Sequence, residues 1–121
     1  MLKLSLLAEG YAKRMNESAF IYKIQAELCR AMGNALRQEL VHLLRDEPKH
    51  VNELVQLTGQ SQATVSRHLA ILKHAGVITS ERRGQEVYYQ IADPKIVSVC
   101  DLMRQVLVEQ TAHRAEIMKD T

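Results

Sequence analysis

The sequence predicts a mainly helical domain that carries one small β-hairpin. Three observations point to this. Apolar residues recur at helical spacing through most of the 121 residues. Only two prolines and five glycines interrupt them, which favours long helices and few loops. One segment, residues 77–91, turns instead to β-branched and aromatic residues around a polar turn. A chain of this length fits one domain with one core. With no Trp and one Phe, that core must come from Leu, Ile, Val, Met and Ala.

Each helix can be justified in turn. Over residues 2–15, Leu4, Leu7, Ala8, Tyr11 and Met15 share one face, with Gly10 as a weak point. Asn16 is the expected cap of a second helix that runs to about Met32, with Phe20, Ile24, Ala26, Leu28 and Ala31 apolar. Gly33 breaks the pattern and Asn34 can cap a third helix, where Leu36, Leu40, Val41, Leu43 and Leu44 form a wide apolar face. Asp46-Glu47-Pro48 ends it, because proline disfavours helix in the residue before it.

A short helix follows at about Val51–Leu57 and stops at Thr58-Gly59. Ser61 then fits an N-cap, since its hydroxyl can accept an N–H two or three residues on. The helix it opens runs to about Ala75. Val65, Leu69 and Leu72 would turn to the core, and Gly76 suits the left-handed residue past the end. Residues 77–80 and 86–91 read as strands, with Arg82-Arg83-Gly84-Gln85 as the turn. Asp93-Pro94 opens a last helix reaching about Lys119. At 1.5 Å per residue it is about 40 Å long, more than a domain this small spans alone. Its apolar positions Ile96, Val99, Cys100, Met103, Val106 and Leu107 approach heptad spacing, and a second copy of the chain is the simplest partner for them.

Charge narrows the function. The net charge of +2 is too mild to imply nucleic acid by itself. Its distribution says more: between Gly59 and Gln85 the cations Arg67, Lys73, Arg82 and Arg83 face only the anion Glu81. The N-terminus has no cleavage site of a signal peptide, and no apolar run approaches a membrane span, so the cytoplasm is the expected compartment. Two cysteines there are expected to be thiols. No Gly-rich phosphate loop, paired carboxylates or nucleophile–histidine signature points to an enzyme, and no cofactor is expected.

Short helix, turn, capped helix and hairpin in that order make a helix-turn-helix with a wing. A helix fits the major groove of B-DNA, and a helix N-terminus offers free N–H groups to phosphate. On the outer face, Gln62 can pair with adenine, Arg67 with guanine and Ser66 with either, while the Ala63 methyl can touch thymine. Ser61, Thr64, Arg82, Arg83 and Gln85 would hold the phosphate backbone. His68 precedes core Leu69, and either contacts a base or hydrogen-bonds within the fold. Each piece alone would read as ordinary polar surface; their order and spacing together favour double-stranded DNA. A winged-helix module that docks a partner protein is the alternative, which an exposed apolar patch on residues 62–83 would favour.

Ser61-x-x-x-Val65-Ser66-Arg67-His68-Leu69-x-x-Leu72-x-x-x-Gly76-Val77-Ile78, followed by Gly84-x-x-Val87-Tyr88-Tyr89, resembles the ArsR/SmtB family of winged-helix regulators. Asn34-Ala35-Leu36-Arg37 is similar to that family's start of the preceding helix, with Ala35 in a proline position. The resemblance covers about residues 20–110. It implies a homodimer that binds a near-palindromic operator, blocks transcription and is released when an effector binds or modifies it. The domain would divide into N-terminal dimerisation helices (1–33), the winged helix-turn-helix (34–92) and a C-terminal dimerisation helix (93–121).

The family's effector sites transfer poorly. Its thiol metal motif falls on Lys49–Leu54, with His50 and Asn52 in the cysteine positions. Its zinc ligands fall on Asp93, Lys95, Val106 and Glu109, and lysine and valine cannot serve. No metal site is therefore expected there; His113 with Glu116, at i and i+3, could form half a site between subunits but reads rather as solvated helix. The cysteines of its reactive-sulfur sensors fall on His42 and Val108. Cys29 and Cys100 are the remaining effector candidates. They are either small core or interface residues, redox or persulfide sensors, or soft-metal ligands.

Overall fold

The helical spacing is realised as six helices among residues 2–119, which a computed structural model describes. Residue 1 and residues 120–121, the outermost positions of the expected domain, lie outside the described residues. The order is α1 (Leu2–Glu17), α2 (Ala19–Met32), α3 (Ala35–Leu43), β1 (Lys49–His50), α4 (Val51–Thr58), α5 (Gln62–His74), β2 (Ile78–Arg83), β3 (Glu86–Ile91) and α6 (Pro94–Lys119).

Local chemistry sets most of the boundaries. The Asn34 side chain accepts from the Arg37 N–H at 3.1 Å and opens α3. The Asp93 carboxylate accepts from the Lys95 N–H at 2.9 Å at the start of α6. At the end of α5, Gly76 takes φ 81°, which lets its own N–H reach the Lys73 carbonyl and the Val77 N–H reach that of Leu72, each at 3.0 Å. That double bond satisfies carbonyls that would otherwise lack partners, and a Cβ at position 76 would strain it.

Three boundaries differ from expectation. Asn16 does not cap α2; α1 continues through it to Glu17, and the chain breaks at Ser18, whose backbone is extended. The Ser18 hydroxyl donates to the Met15 carbonyl at 3.1 Å, closing α1 rather than opening α2. Secondly, Lys49–His50 forms a short strand, β1, which pairs antiparallel with Tyr88 and Tyr89 of β3 to give a three-stranded sheet in the order β1-β3-β2. Thirdly, β2 runs through Arg82 and Arg83, so the turn is only Gly84-Gln85, with Gly84 at φ 65°. The two-residue connection forces this, because it brings Arg83 opposite Glu86 and Arg82 opposite Val87 in the ladder.

One core holds the middle of the chain together. Leu40, Val41 and Leu44 from α3 and its end meet Leu54 of α4, Val65, Leu69 and Leu72 of α5, and Val77 with Ile78 at the root of β2. All are buried, so the expected inward face of α5 is the observed one. Each fully buried Leu or Val contributes about 1.5–3 kcal/mol through lost apolar surface. Outside this core, α6 buries no residue completely. Arg45, just beyond α3, ties α6 to the unit by gripping Asp101 with both Nη atoms, at 2.6 and 3.3 Å. Arg104 adds a contact to the same carboxylate at 3.0 Å. Donation from Arg45 above all holds the Asp101 carboxyl below its ordinary range.

Candidate nucleic-acid interface

The first residues of α5 are presented outward because its inner face is fixed by Val65, Leu69 and Leu72. Ser61 caps the helix: its hydroxyl accepts from the Thr64 N–H at 3.2 Å and donates to the Thr64 hydroxyl at 2.9 Å. Gln62, Ala63, Ser66 and Arg67 are exposed and Thr64 is half-buried. They lie on the first two turns, where unpaired N–H groups and the positive end of the helix dipole also face solvent. The turn before them is set by Gly59, whose left-handed backbone (φ 71°) ends α4.

His68 is not part of that surface. It is 9% exposed, and its Nδ1 lies 3.0 Å from Nη1 of Arg37. A guanidinium can only donate, so Nδ1 must be the acceptor and the proton sits on Nε2. Burial lowers the His68 pKa, and the positive charges of Arg37 and Arg67 lower it further. Of its two expected roles, His68 takes the hydrogen bond within the fold rather than the base contact, because the helix turns it inward beside Leu69.

The wing stands next to α5, rooted by Ile78 in the core. Successive residues of a strand point to opposite faces, so Arg82 and Arg83 diverge. Arg82 shares a face with Ile78 and Ser80, the side that meets the core at the wing's root. Arg83 shares the other face with Glu81, Glu86 and Tyr88. There its guanidinium lies 4.7 Å from the Tyr88 ring centroid and 3.4 Å from the Glu81 carboxylate. The Tyr88 hydroxyl donates to Glu86 at 3.2 Å, which raises the Tyr88 pKa. Both arginines and Gln85 remain exposed. In the sequence the two adjacent cations read as one tip. The signal that separates them, strand alternation, appears only once the hairpin register is known.

The two effector candidates, Cys29 of α2 and Cys100 of α6, line the same mostly apolar cleft of about 420 Å³, together with Leu28, Met32, Ile96 and Met103. Cys29 is exposed and Cys100 half-buried. Burial raises the Cys100 thiol pKa; Asp101 raises it further and Arg104 opposes this. His50, in a cysteine position of the family's thiol motif, is engaged otherwise. It packs edge-on to Tyr88 at 5.5 Å between ring centroids, and its backbone N–H donates to Glu53 at 3.4 Å. Among the described residues no helix is long and apolar enough to cross a membrane.

Comparison with known proteins agrees with this geometry. The profile of the bacterial regulatory protein arsR family matches residues 34–80, from the cap of α3 to the first strand of the wing. The chain is 39% identical to the HTH-type transcriptional repressor SmtB of Mycobacterium tuberculosis over 90 residues, which are 74% of this chain and 62% of that protein. It is 30% identical to the HTH-type transcriptional regulator Rv0081 of the same organism, over 86% of this chain and 92% of that one. The crystal structure of Rv0081 superposes with a TM-score of 0.73, covering 81% of this chain and 99% of that chain at 29% identity. A homodimeric winged helix-turn-helix DNA-binding domain from Mycobacterium bovis superposes with a TM-score of 0.70 at 27% identity, covering 75% of this chain and 84% of that chain. These relatives are transcriptional regulators rather than enzymes, and the chain belongs to the arsR family of bacterial regulatory proteins.

Proposed function

We propose that this chain is a homodimeric repressor that binds a near-palindromic operator and leaves it when an effector acts on the protein. One observation carries the DNA reading. A Ser61-capped helix holds Gln62, Ala63, Ser66 and Arg67 outward on a rigid core, beside a wing that bears Arg82. Gln62, Ser66 and Arg67 read base edges in the major groove, and the Ala63 methyl packs on thymine. Ser61, Thr64 and Gln85 position the phosphate backbone together with Arg82 and Arg83. Arg82, on the wing face that continues the core side, grips the backbone beside α5, while Arg83 is braced by Glu81 and Tyr88 and adds mainly charge.

Dimerisation runs through the helices outside the core. Val99, Leu102, Met103, Val106 and Leu107 of α6 are exposed in the single chain, as are Leu4, Leu7 and Tyr11 of α1 and Phe20 and Ile24 of α2. So much apolar surface on three helices calls for a partner, and a second copy supplies the two-fold symmetry that a palindrome requires. The effector acts in the cleft between α2 and α6, at Cys29 and Cys100 (by thiol oxidation, reactive sulfur or a soft metal).

The experiment is selection of duplexes from a randomised library, followed by titration of the enriched sequence at several salt concentrations. Gln62→Ala and Arg67→Ala should each relax base preference at one position of each half-site by about 1–3 kcal/mol. Unchanged preference in both would remove α5 from the groove. Cys29→Ser and Cys100→Ser should abolish release by whichever of oxidant, polysulfide or metal releases the wild type. Release that persists in both variants would place the effector elsewhere.

A further inference from the structure

Arg37 makes three contacts that no local motif requires. Its Nε donates to the Ala31 carbonyl and its Nη2 to the Arg30 carbonyl at 3.3 Å, both in the last turn of α2. Its Nη1 donates to Nδ1 of His68 on α5 at 3.0 Å. The next residue of α3, Gln38, donates to the Met32 carbonyl at 2.7 Å. The last carbonyls of a helix have no partner within it, and α3 donates to three successive ones, sharing that of Arg30 with the Gly33 N–H at 3.1 Å. A guanidinium is planar and carries its donors in a fixed fork. It cannot keep all three contacts if α2 and α5 shift relative to one another. The same last turn of α2 contributes Leu28, Cys29 and Met32 to the cleft facing α6.

We propose that Arg37 is a positioning residue that transmits the placement of the last turn of α2 to the reading helix α5 through Nδ1 of His68. The inference rests on the reading of α5 as the base-contacting helix. A change in the α2–α6 cleft that moves this turn either carries α5 with it or breaks the contact. Both outcomes change where Gln62 and Arg67 stand. His68 is thus the acceptor that lets the reading helix sense α2. Protonation at Nδ1 removes that acceptor and opens the link. The charges that act on the ring are both cationic, Arg37 from α3 and Arg67 from α5 itself.

The test has two arms on the full chain. Without DNA, ring nitrogen NMR of the wild type at neutral pH should show a bare Nδ1 and a protonated Nε2. Arg37→Lys should shift both ring nitrogens and the backbone amides of Gln62–Arg67. Amides that stay in place overturn the proposal, whether or not the chain binds DNA. In the second arm the probe is a duplex enriched from a randomised library by the wild type. Arg37→Lys and His68→Leu should each weaken binding about tenfold with the salt slope unchanged, because no phosphate contact is lost. The double variant should be no weaker than either single one, since both break the same link.

His68→Asn, whose Oδ1 stands in for Nδ1, should restore affinity. It should also remove the loss of affinity expected of the wild type only well into the acid range, as pH falls through a His68 pKa that burial and the two arginines hold below the ordinary imidazole value. Additive losses, or a smaller salt slope for Arg37→Lys, overturn the proposal. If His68→Leu fails to fold, the pH profile of His68→Asn against wild type decides. Failure of the wild type to enrich any duplex counts against the DNA reading alone, and the NMR arm then decides the link.

Discussion

The winged unit and the helices that flank it solve opposite problems. From α3 to β3 the chain closes on itself: Leu40, Leu54, Val65, Leu69 and Leu72 have no exposed surface. In α6, by contrast, no residue is buried, and Leu102 is 63% and Leu107 56% exposed. Both regions have helical apolar periodicity, so periodicity alone does not separate them. What separates them is whether the chain folds something back onto the apolar face. The hairpin, α3 and α4 cover α5. In α6, Val99, Leu102, Met103, Val106 and Leu107 stay exposed in the single chain. A winged unit with its own core can be rigid, and under the proposed function a second copy completes the helices that flank it.

The strongest way to break this comparison is to damage each region and compare the results. Leu69→Ala should cost about 2–5 kcal/mol of unfolding free energy in denaturant titration, since it leaves a cavity at the centre of the core. Leu107→Ala should leave the stability of the monomer almost unchanged. Equal losses would mean that α6 belongs to the same core. Next in size, Met103→Glu with Leu107→Glu should weaken self-association at least about a hundredfold, about 3 kcal/mol, by burying unpaired carboxylates in the interface. Sedimentation would show this as monomer, with a far-ultraviolet spectrum like the wild type. A dimer that persists would move the interface off α6.

Within the reading head, the two wing arginines sharpen the picture further. Arg82→Ala should lower the log–log salt slope of DNA binding by about one unit. Arg83→Ala should lower it less, because that guanidinium is already shared with Glu81 and Tyr88. Equal effects would mean that the bracing does not survive on DNA. Ser61→Ala should lose about 1 kcal/mol of stability by removing the cap, measured as a lower thermal midpoint with an unchanged salt slope.

The smallest effect concerns pH. The folded chain depresses the His68 pKa, so below about 6.5 the unfolded chain takes up a proton that the folded one does not. This contribution is fully present above that value and is lost as pH falls from there toward the folded pKa. Thermal midpoints between neutral and mildly acidic pH should show the loss in the wild type and a smaller one in His68→Asn. Identical profiles would mean that the imidazole is not held neutral.

Much of this was legible from residues alone because the signals are local. Asn34, Ser61 and Asp93 cap helices by bonding N–H groups two or three positions away, and Gly76 takes a left-handed φ that its own lack of Cβ permits. Val65, Leu69 and Leu72 mark their face by spacing. The one local signal that misled was Asn16, a good cap that the helix simply runs through, because Ser18 two residues on supplies the break.

What only the tertiary structure decided involves partners far away in the chain. Lys49–His50 has no strand signature of its own and becomes a strand because Tyr88 and Tyr89 offer it a free edge. Arg82 and Arg83 part company because the ladder extends to the last residue before Gly84. His68 turns from candidate reader to internal acceptor because Arg37, on another helix, reaches it. Cys29 and Cys100, far apart in sequence, line one cleft because α6 returns alongside α2. Spacing specifies which face of an element is apolar. Only the packed chain specifies what that face meets.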